Sequence, residues 1–406
     1  MKNIPISLVV VFILLSSILS IVDSSEISNN IVYVDDDGGA DYTRIQDAID
    51  NASDGDTIFV YNGTYYGKII INKSITLIGE NNTDTILKPD NPEESAQLNR
   101  IITIYSDNVQ VKNLCLRPYN NIKMYNTRPI YAKNSRNLII QNNNIINCNG
   151  RIIFDTNTSA EILDNHIHSY NGFPARCIYF INPPPDSTIK ISRNSIINYG
   201  TGIDFNFYET APSQIIIYNN HIEFPFGQHS SNNFDSGISF EHTVDTNYHL
   251  NISHNNITGF TFGIYYSGSG PPLNNSSVHI FLNSFYNEKS DLYLLPNSIR
   301  SNETLVITNN NFFGENKQEL FIEEIILDPL IIPFILNYSM TFIQKNSIQW
   351  SSNYWHHHHT RLPKLIPGIM IIYLQLPFFG IVFKIFQIDA SPVKTPFDIP
   401  IPEVMS

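Results

Sequence analysis

A six-residue phrase recurs along the chain and limits what it can fold into. Its form is Ile, two variable residues, Asn, one variable residue, then Ile or Phe. It occurs at Ile140–Ile145 around Asn143, Ile162–Ile167 around Asn165, Ile191–Ile196 around Asn194 and Ile217–Ile222 around Asn220. It returns at Ile252–Ile257 around Asn255, Ile280–Phe285 around Asn283, Ile307–Phe312 around Asn310 and Ile343–Ile348 around Asn346. The interval is irregular, about 22 to 36 residues, within the range of stacked-repeat architectures. One copy cannot bury its apolar side alone; stacking the copies buries it as a continuous core.

Alternation decides between strand and helix. Ile189-Lys190-Ile191, Leu250-Asn251-Ile252 and Val278-His279-Ile280 alternate apolar and polar, the period of a half-buried strand. Ile, Val, Phe and Tyr suit strands. The fixed Asn puts one amide at the same turn of every coil. Strands stack about 4.8 Å apart, so these amides can hydrogen-bond along the stack as a ladder. The Asn ladder therefore explains the Asn-rich phrase without any catalytic role.

A second strand runs in phase: Arg100-Ile-Ile-Thr-Ile, Arg128-Pro-Ile-Tyr-Ala, Arg151-Ile-Ile-Phe-Asp and Arg176-Cys-Ile-Tyr-Phe, then Thr201-Gly-Ile-Asp-Phe, Ser236-Gly-Ile-Ser-Phe and Phe262-Gly-Ile-Tyr-Tyr. Aligning the third-position Ile places Arg100, Arg128, Arg151 and Arg176 in one column. The outward column beside it holds Tyr131, Phe154, Tyr179, Asp204, Ser239 and Tyr265. The fold expected is all-β: a single-stranded right-handed parallel β-helix over residues 30–355, with an N-terminal capping helix and C-terminal capping strands.

The two ends differ from the coils. Lys2, the apolar run Ile6–Val22 and the small residues Ser24 and Ser25 read as a signal peptide over residues 1–24, with an uncleaved membrane anchor as the alternative. Sequons at Asn62, Asn72, Asn157, Asn251, Asn302 and Asn337 agree with export, and the expected location is secreted or cell-surface. Ile45, Ala48, Ile49 and Ala52 share one helical face, with Asp41 a candidate cap. Such a helix would cover the open first coil. Residues 356–406 form a closing segment. Its apolar run Leu362–Phe386 is interrupted by Pro363, Pro367 and Pro377, which favours two capping strands over a membrane span, although envelope attachment stays open. Cys115, Cys148 and Cys177 make no disulfide framework and read as buried thiols, or as one bridge with a thiol left over.

Tyr33-Val-Asp-Asp-Asp, the segment Tyr42–Val60, Tyr61-Asn-Gly-Thr-Tyr65 and Ile75-Thr-Leu-Ile-Gly-Glu80 resemble the opening of NosD-like right-handed parallel β-helix surface proteins. Asn353-Tyr-Trp355, Leu362-Pro-Lys364 and Pro396-Phe-Asp-Ile399 resemble the close of archaeal members, and the coils resemble those of pectate lyases. The resemblance implies an extracellular protein that binds, or sometimes cleaves, polysaccharide. Such a scaffold hosts many functions. No residue set matches a copper site closely enough to carry the NosD role over.

The candidate site residues follow from the columns. The net charge of −13 and scattered Lys and Arg argue against nucleic acid. The motifs of pectin hydrolases are absent from the coils, and no catalytic residue is assigned. A lyase would need calcium beside a base, for which Asp155, Asp204, Glu209, Asp235, Glu241 and Arg176 are available; otherwise no cofactor is expected. Stacked arginines repel and need anions or interleaved acids such as Asp155. Exposed aromatics suit sugar faces. The expected ligand is a polysaccharide or cell-envelope glycan held by Tyr131, Phe154, Tyr179, Asp204, Tyr265, Arg128, Arg151 and Arg176. The run His356, His357, His358 and His359 is a candidate zinc or copper site.

Overall fold

The computed structural model describes residues 30–89, 100–118, 127–148, 150–225, 235–242, 248–268, 277–287, 290–294, 304–313, 320–326, 348–351, 353–355, 364–374 and 380–389. The proposed signal segment, Asn346 and His356–His359 lie outside them. Short strands follow one another around a coil with three faces. Thr76–Gly79, Thr85–Lys88 and Arg100–Ile104 make one turn; Gln110–Lys112, Cys115–Leu116 and Arg128–Lys133 make the next. Each strand pairs in parallel with its counterpart one coil away. The first face is a 12-stranded sheet running from Ile31–Val34 to Ile348–Ser351. The second and third faces merge where His166–Ile181 and Ser195–Phe207 run unbroken around the corner between them. This is a right-handed parallel β-helix.

The inward residues form files along the axis. Ile140, Ile162, Ile191, Ile217, Ile252, Ile280 and Ile307 are opposite one another on successive strands and buried. On the third face the inward file is aromatic: Phe180 lies 4.5 Å from Phe154 and 5.3 Å from Phe205, which lies 4.9 Å from Phe240, centroid to centroid. Parallel stacking at the coil spacing lets each ring use its face for the next. Gly202 and Gly237 precede inward Ile residues, and a Cβ there would meet the carbonyl of the following coil at 2.6 and 2.8 Å.

The Asn column is a ladder. Asn143 Nδ2 donates to Asn165 Oδ1 at 3.0 Å, Asn194 to Asn220 at 2.9 Å, Asn220 to Asn255 at 2.9 Å and Asn283 to Asn310 at 3.0 Å. The backbone N–H of Asn220 donates to the same Asn255 oxygen, and its amide also reaches Ile191 O. The buried amides of the ladder are thereby satisfied. Among the described residues the rung after Asn310 is Asn353: Asn310 Nδ2 donates to Asn353 Oδ1 at 3.2 Å. Trp350 occupies the place of Ile there, opposite Ile307, so the phrase is present in altered spelling.

The residue before each rung turns the corner in the left-handed region. Asn113, Asn142, Asp164, Arg193, Asn219, His254, Leu282 and Asn309 all have φ between 53° and 58° there, with Arg193 at 56°. Asn and Asp tolerate this conformation; Leu does not.

At the N-terminus the helix Ile45–Asn51 buries Ile45, Ala48 and Ile49 against the first coils. Asp41 is not its cap. The Asp41 carboxylate accepts from Tyr33 N–H at 2.9 Å, and the capping position falls to Arg44, which offers no side-chain bond. Lys73 closes the other end by donating to the carbonyls of Ile49, Asp50 and Ala52. Lys364–Leu374 and Gly380–Asp389 pair antiparallel, and the first of them continues the third face beside Leu320–Ile326. No helix among the described residues is long and apolar enough to cross a membrane. Cys115, Cys148 and Cys177 are buried free thiols, so no bridge links them.

Two outcomes are expected. Asn220→Leu orphans the buried backbone N–H of Asn194 and takes the side-chain donor from Ile191 O. With about 1–3 kcal/mol for each buried group left unpaired, the melting temperature should fall by several degrees; an unchanged melt would remove the ladder from the stability of the fold. Leu282→Asn places a left-handed-tolerant residue at φ 54°. It should raise stability by about 1 kcal/mol, read as a higher denaturation midpoint, whereas a lower midpoint would show that Leu282 packing outweighs its backbone strain.

Candidate functional site

The outward file of the third face was expected to be a row of exposed rings. Its register runs Tyr131, Ile153, Tyr179, Asp204, Ser239, Tyr265 and Tyr293. Phe154 does not belong to it. Phe154 lies opposite Ala132 and Phe180 in the inward file and is fully buried. Arg151 is displaced for the same reason: Ile152, not Ile153, is opposite Ile178, so Arg151 stands one residue out of line with Arg128 and Arg176.

The rings are not exposed either. Tyr131 and Tyr179 keep 8% and 7% of their surface, and Asp204 keeps 1%. Arginines from the preceding coil, and Arg176 from the same strand as Tyr179, roof them. The Arg100 guanidinium lies 3.7 Å from the Tyr131 centroid, while those of Arg151 and Arg176 lie 5.4 and 4.9 Å from Tyr179. These are cation–π contacts, and they cover the ring faces a sugar would have used. Tyr265, further along, stacks on Tyr293 at 4.8 Å.

Beyond Tyr179 the file becomes a polar cluster. Arg176 Nε lies 2.8 Å from Asp204 Oδ2 and Nη2 lies 4.0 Å from Glu241 Oε1. Neither Asp204 oxygen receives a well-aligned hydrogen bond. Burial pushes the Asp204 carboxyl up to about 6, against the opposing pull of Arg176 and with a further push from Glu241. Asn206 knits the cluster. With its amide oriented to satisfy both ends, the oxygen accepts from Tyr179 Oη at 2.6 Å, Tyr208 Oη at 3.1 Å and Arg176 Nη1 at 3.2 Å, and the nitrogen donates to Glu241 Oε2 at 3.0 Å. Tyr208 is 51% exposed. Asn206 and Tyr208 escaped the sequence reading, because nothing in the columns distinguishes them; Glu241 was legible only as one acid among several. Glu209 is exposed and Asp235 buried.

On the other side of Tyr179 the file is basic. Arg128 is opposite Arg100 on the preceding coil. Asp155 does not interleave with them: it accepts from Tyr131 Oη at 2.6 Å and pairs with Lys133 at 3.5 Å. Among the described residues no carboxylate lies within ion-pair distance of Arg100, Arg128 or Arg151. Burial lowers the pKa of Arg128, and Arg100 and Arg151 lower it further; burial and then Arg176 lower that of Arg151. Half-buried guanidinium groups on consecutive coils, with no carboxylate within ion-pair distance among the described residues, make a strip that favours an anion.

Elsewhere, Asp35, Asp36 and Asp37 lie close together at the N-terminal end. Asp36 is engaged by the Thr64 N–H at 2.9 Å, which makes it part of the first coil's frame.

No family model matches the chain, and no curated protein matches it. Among solved structures it is similar to a double-mutant tailspike protein of E. coli bacteriophage HK620, at 12% identity and TM-score 0.42, over 78% of this chain and 63% of that one. The chain thus spans less than two thirds of the tailspike. A second likeness is to pectin methylesterase from carrot, at 10% identity and TM-score 0.29, over 72% of this chain and 81% of that one. The fold assignment rests on the strand pairing rather than on these likenesses.

The buried acid gives a pH-dependent expectation. Asp204 ordinarily titrates near 3.8 and here near 6. Below both values the group is protonated folded or unfolded and contributes nothing. As pH rises between them the unfolded chain releases the proton first, so stability falls, and the cost is constant above 6. Asp204→Asn removes it. At about 1.4 kcal/mol per pKa unit the pH-dependent part is at most about 3 kcal/mol, with the lost Arg176 pair offsetting some of it. The change in melting temperature, variant minus parent, should be more favourable at pH 7.5 than at pH 4. A difference independent of pH would mean that Asp204 is not the strained acid of this face.

Proposed function

We propose that this protein is a secreted or cell-surface carbohydrate-binding β-helix, and that its ligand is an acidic glycan lying along the third face over Arg100, Arg128 and Arg151. One observation carries the reading: three half-buried guanidinium groups on consecutive coils have no acidic partner among the described residues, in a chain of net charge −13. A protein with a surplus of carboxylates that leaves these arginines unmatched keeps their charge for something outside. The groups are also pre-ordered, since Arg100 and Arg151 are held against tyrosine rings. Fixed guanidinium groups lose little freedom when a carboxylate or sulfate arrives. Tyr131 and Tyr179 serve as the bed for the arginines, Arg176 is occupied by Asp204, and no cofactor is required for binding of this kind.

Calorimetry with polygalacturonate tests the reading. The parent should bind with an affinity that falls as salt rises. Arg128→Gln combined with Arg151→Gln should weaken binding at least tenfold, about 1.4 kcal/mol, and flatten the salt dependence without lowering the melting temperature. Equal binding by parent and double variant, or parent binding to neither polygalacturonate nor a sulfated glycan, would overturn it.

A further inference from the structure

The charge of the outer file changes sign along the axis. Arg100, Arg128 and Arg151 make one side basic; one and two coils beyond Arg176, Asp204 and then Glu241 make the other side acidic. We infer that the acidic side is a separate subsite for an uncharged sugar, so that the glycan is mixed, with acidic sugars over the arginines and a neutral one over Tyr208, Asn206 and Glu241. This deepens the proposed function and rests on it.

The chemistry of the second side fits hydroxyl groups and rejects carboxylates. Glu241 retains about 40% of its side-chain surface and holds Asn206 through one oxygen, so it has acceptor capacity facing solvent. Tyr208, 51% exposed, supplies the only largely exposed ring of this cluster among the described residues. An aromatic platform beside a carboxylate acceptor matches the apolar face and the polar edge of one neutral pyranose. Beneath them lies Asp204, more than nine-tenths buried and paired with Arg176 at 2.8 Å. A ligand carboxylate here would face Glu241 and Asp204 with Arg176 already paired to both. Like charges at such separation cost affinity. The carboxylate of the basic side, Asp155, is taken up by Tyr131, Thr156 and Lys133, so the two subsites do not exchange occupants, and the chain of sugars has one direction along the coil axis.

Oligomers of defined length separate this from the parent reading. Trigalacturonate covers the three arginines; hexagalacturonate must also reach the acidic side in one direction or leave the strip in the other. In the parent, the hexamer should bind no more tightly than the trimer, while a trigalacturonate extended by neutral hexoses should bind several-fold more tightly. Glu241→Gln, which preserves the shape and one acceptor, should raise hexagalacturonate affinity about three- to tenfold and leave the trimer unchanged. Tyr208→Ala should abolish the gain from the neutral extension alone. If Glu241→Gln leaves the hexamer-to-trimer ratio unchanged, or the neutral extension gains nothing in the parent, the subsite is refuted. If instead the trimer binds the Arg128→Gln/Arg151→Gln variant as tightly as the parent, the acidic-glycan reading itself is lost.

Discussion

Everything in this molecule depends on parallel strands repeating at one spacing. Once a strand of one coil pairs with its counterpart in the next, each residue meets its equivalent at about 4.8 Å, on all three faces at once. A residue type that stacks well with itself is reinforced and one that does not is penalised. Ile, Phe and Asn are self-compatible: aliphatic against aliphatic, ring face against ring face, amide donor against amide acceptor. These three types fill the buried files. Arg is self-repelling, and on the third face Arg100 and Arg176 are moderated by a tyrosine ring or an acid.

The same rule explains how much was readable in advance. The Asn and Ile files repeat with fixed internal spacing, so the fold was legible from eight copies of one phrase. Two misreadings have the same origin. In the copy at Arg151 both Ile152 and Ile153 could take the inward place; aligning on Arg chose the wrong one and carried Phe154 outward with it. The aromatic file was the better guide, because Phe154, Phe180, Phe205 and Phe240 align only in the true register. At the C-terminal end, Ile343 to Ile348 spells the phrase in full, yet the rung belongs to Asn353, where Trp350 replaces Ile. The strand register, not the spelling, sets which Asn becomes the rung.

The site was harder. Which residues point outward follows from alternation, but whether an outward residue is exposed depends on what the next coil lays over it. Tyr131 and Tyr179 were correctly placed on the outer face and wrongly assumed free, since long Arg side chains reach over them from the preceding coil, and over Tyr179 also from its own strand. The cluster around Asn206 joins residues up to 65 positions apart, from Arg176 to Glu241, and no local pattern announces it.

The amide ladder has a direction. From Asn143 to Asn310 each Nδ2 donates to the Asn oxygen of the following coil and not to that of the preceding rung. Backbone dipoles in a sheet alternate and largely cancel; these side-chain dipoles all point one way. They form a buried head-to-tail row, much as peptide units do in a helix, and each amide polarises its neighbour. Leu114 takes the Asn place one coil before Asn143 and meets the row's oxygen end with its backbone N–H. The β-helix therefore carries an internal polarity along its axis that is independent of its charged side chains and unscreened by salt.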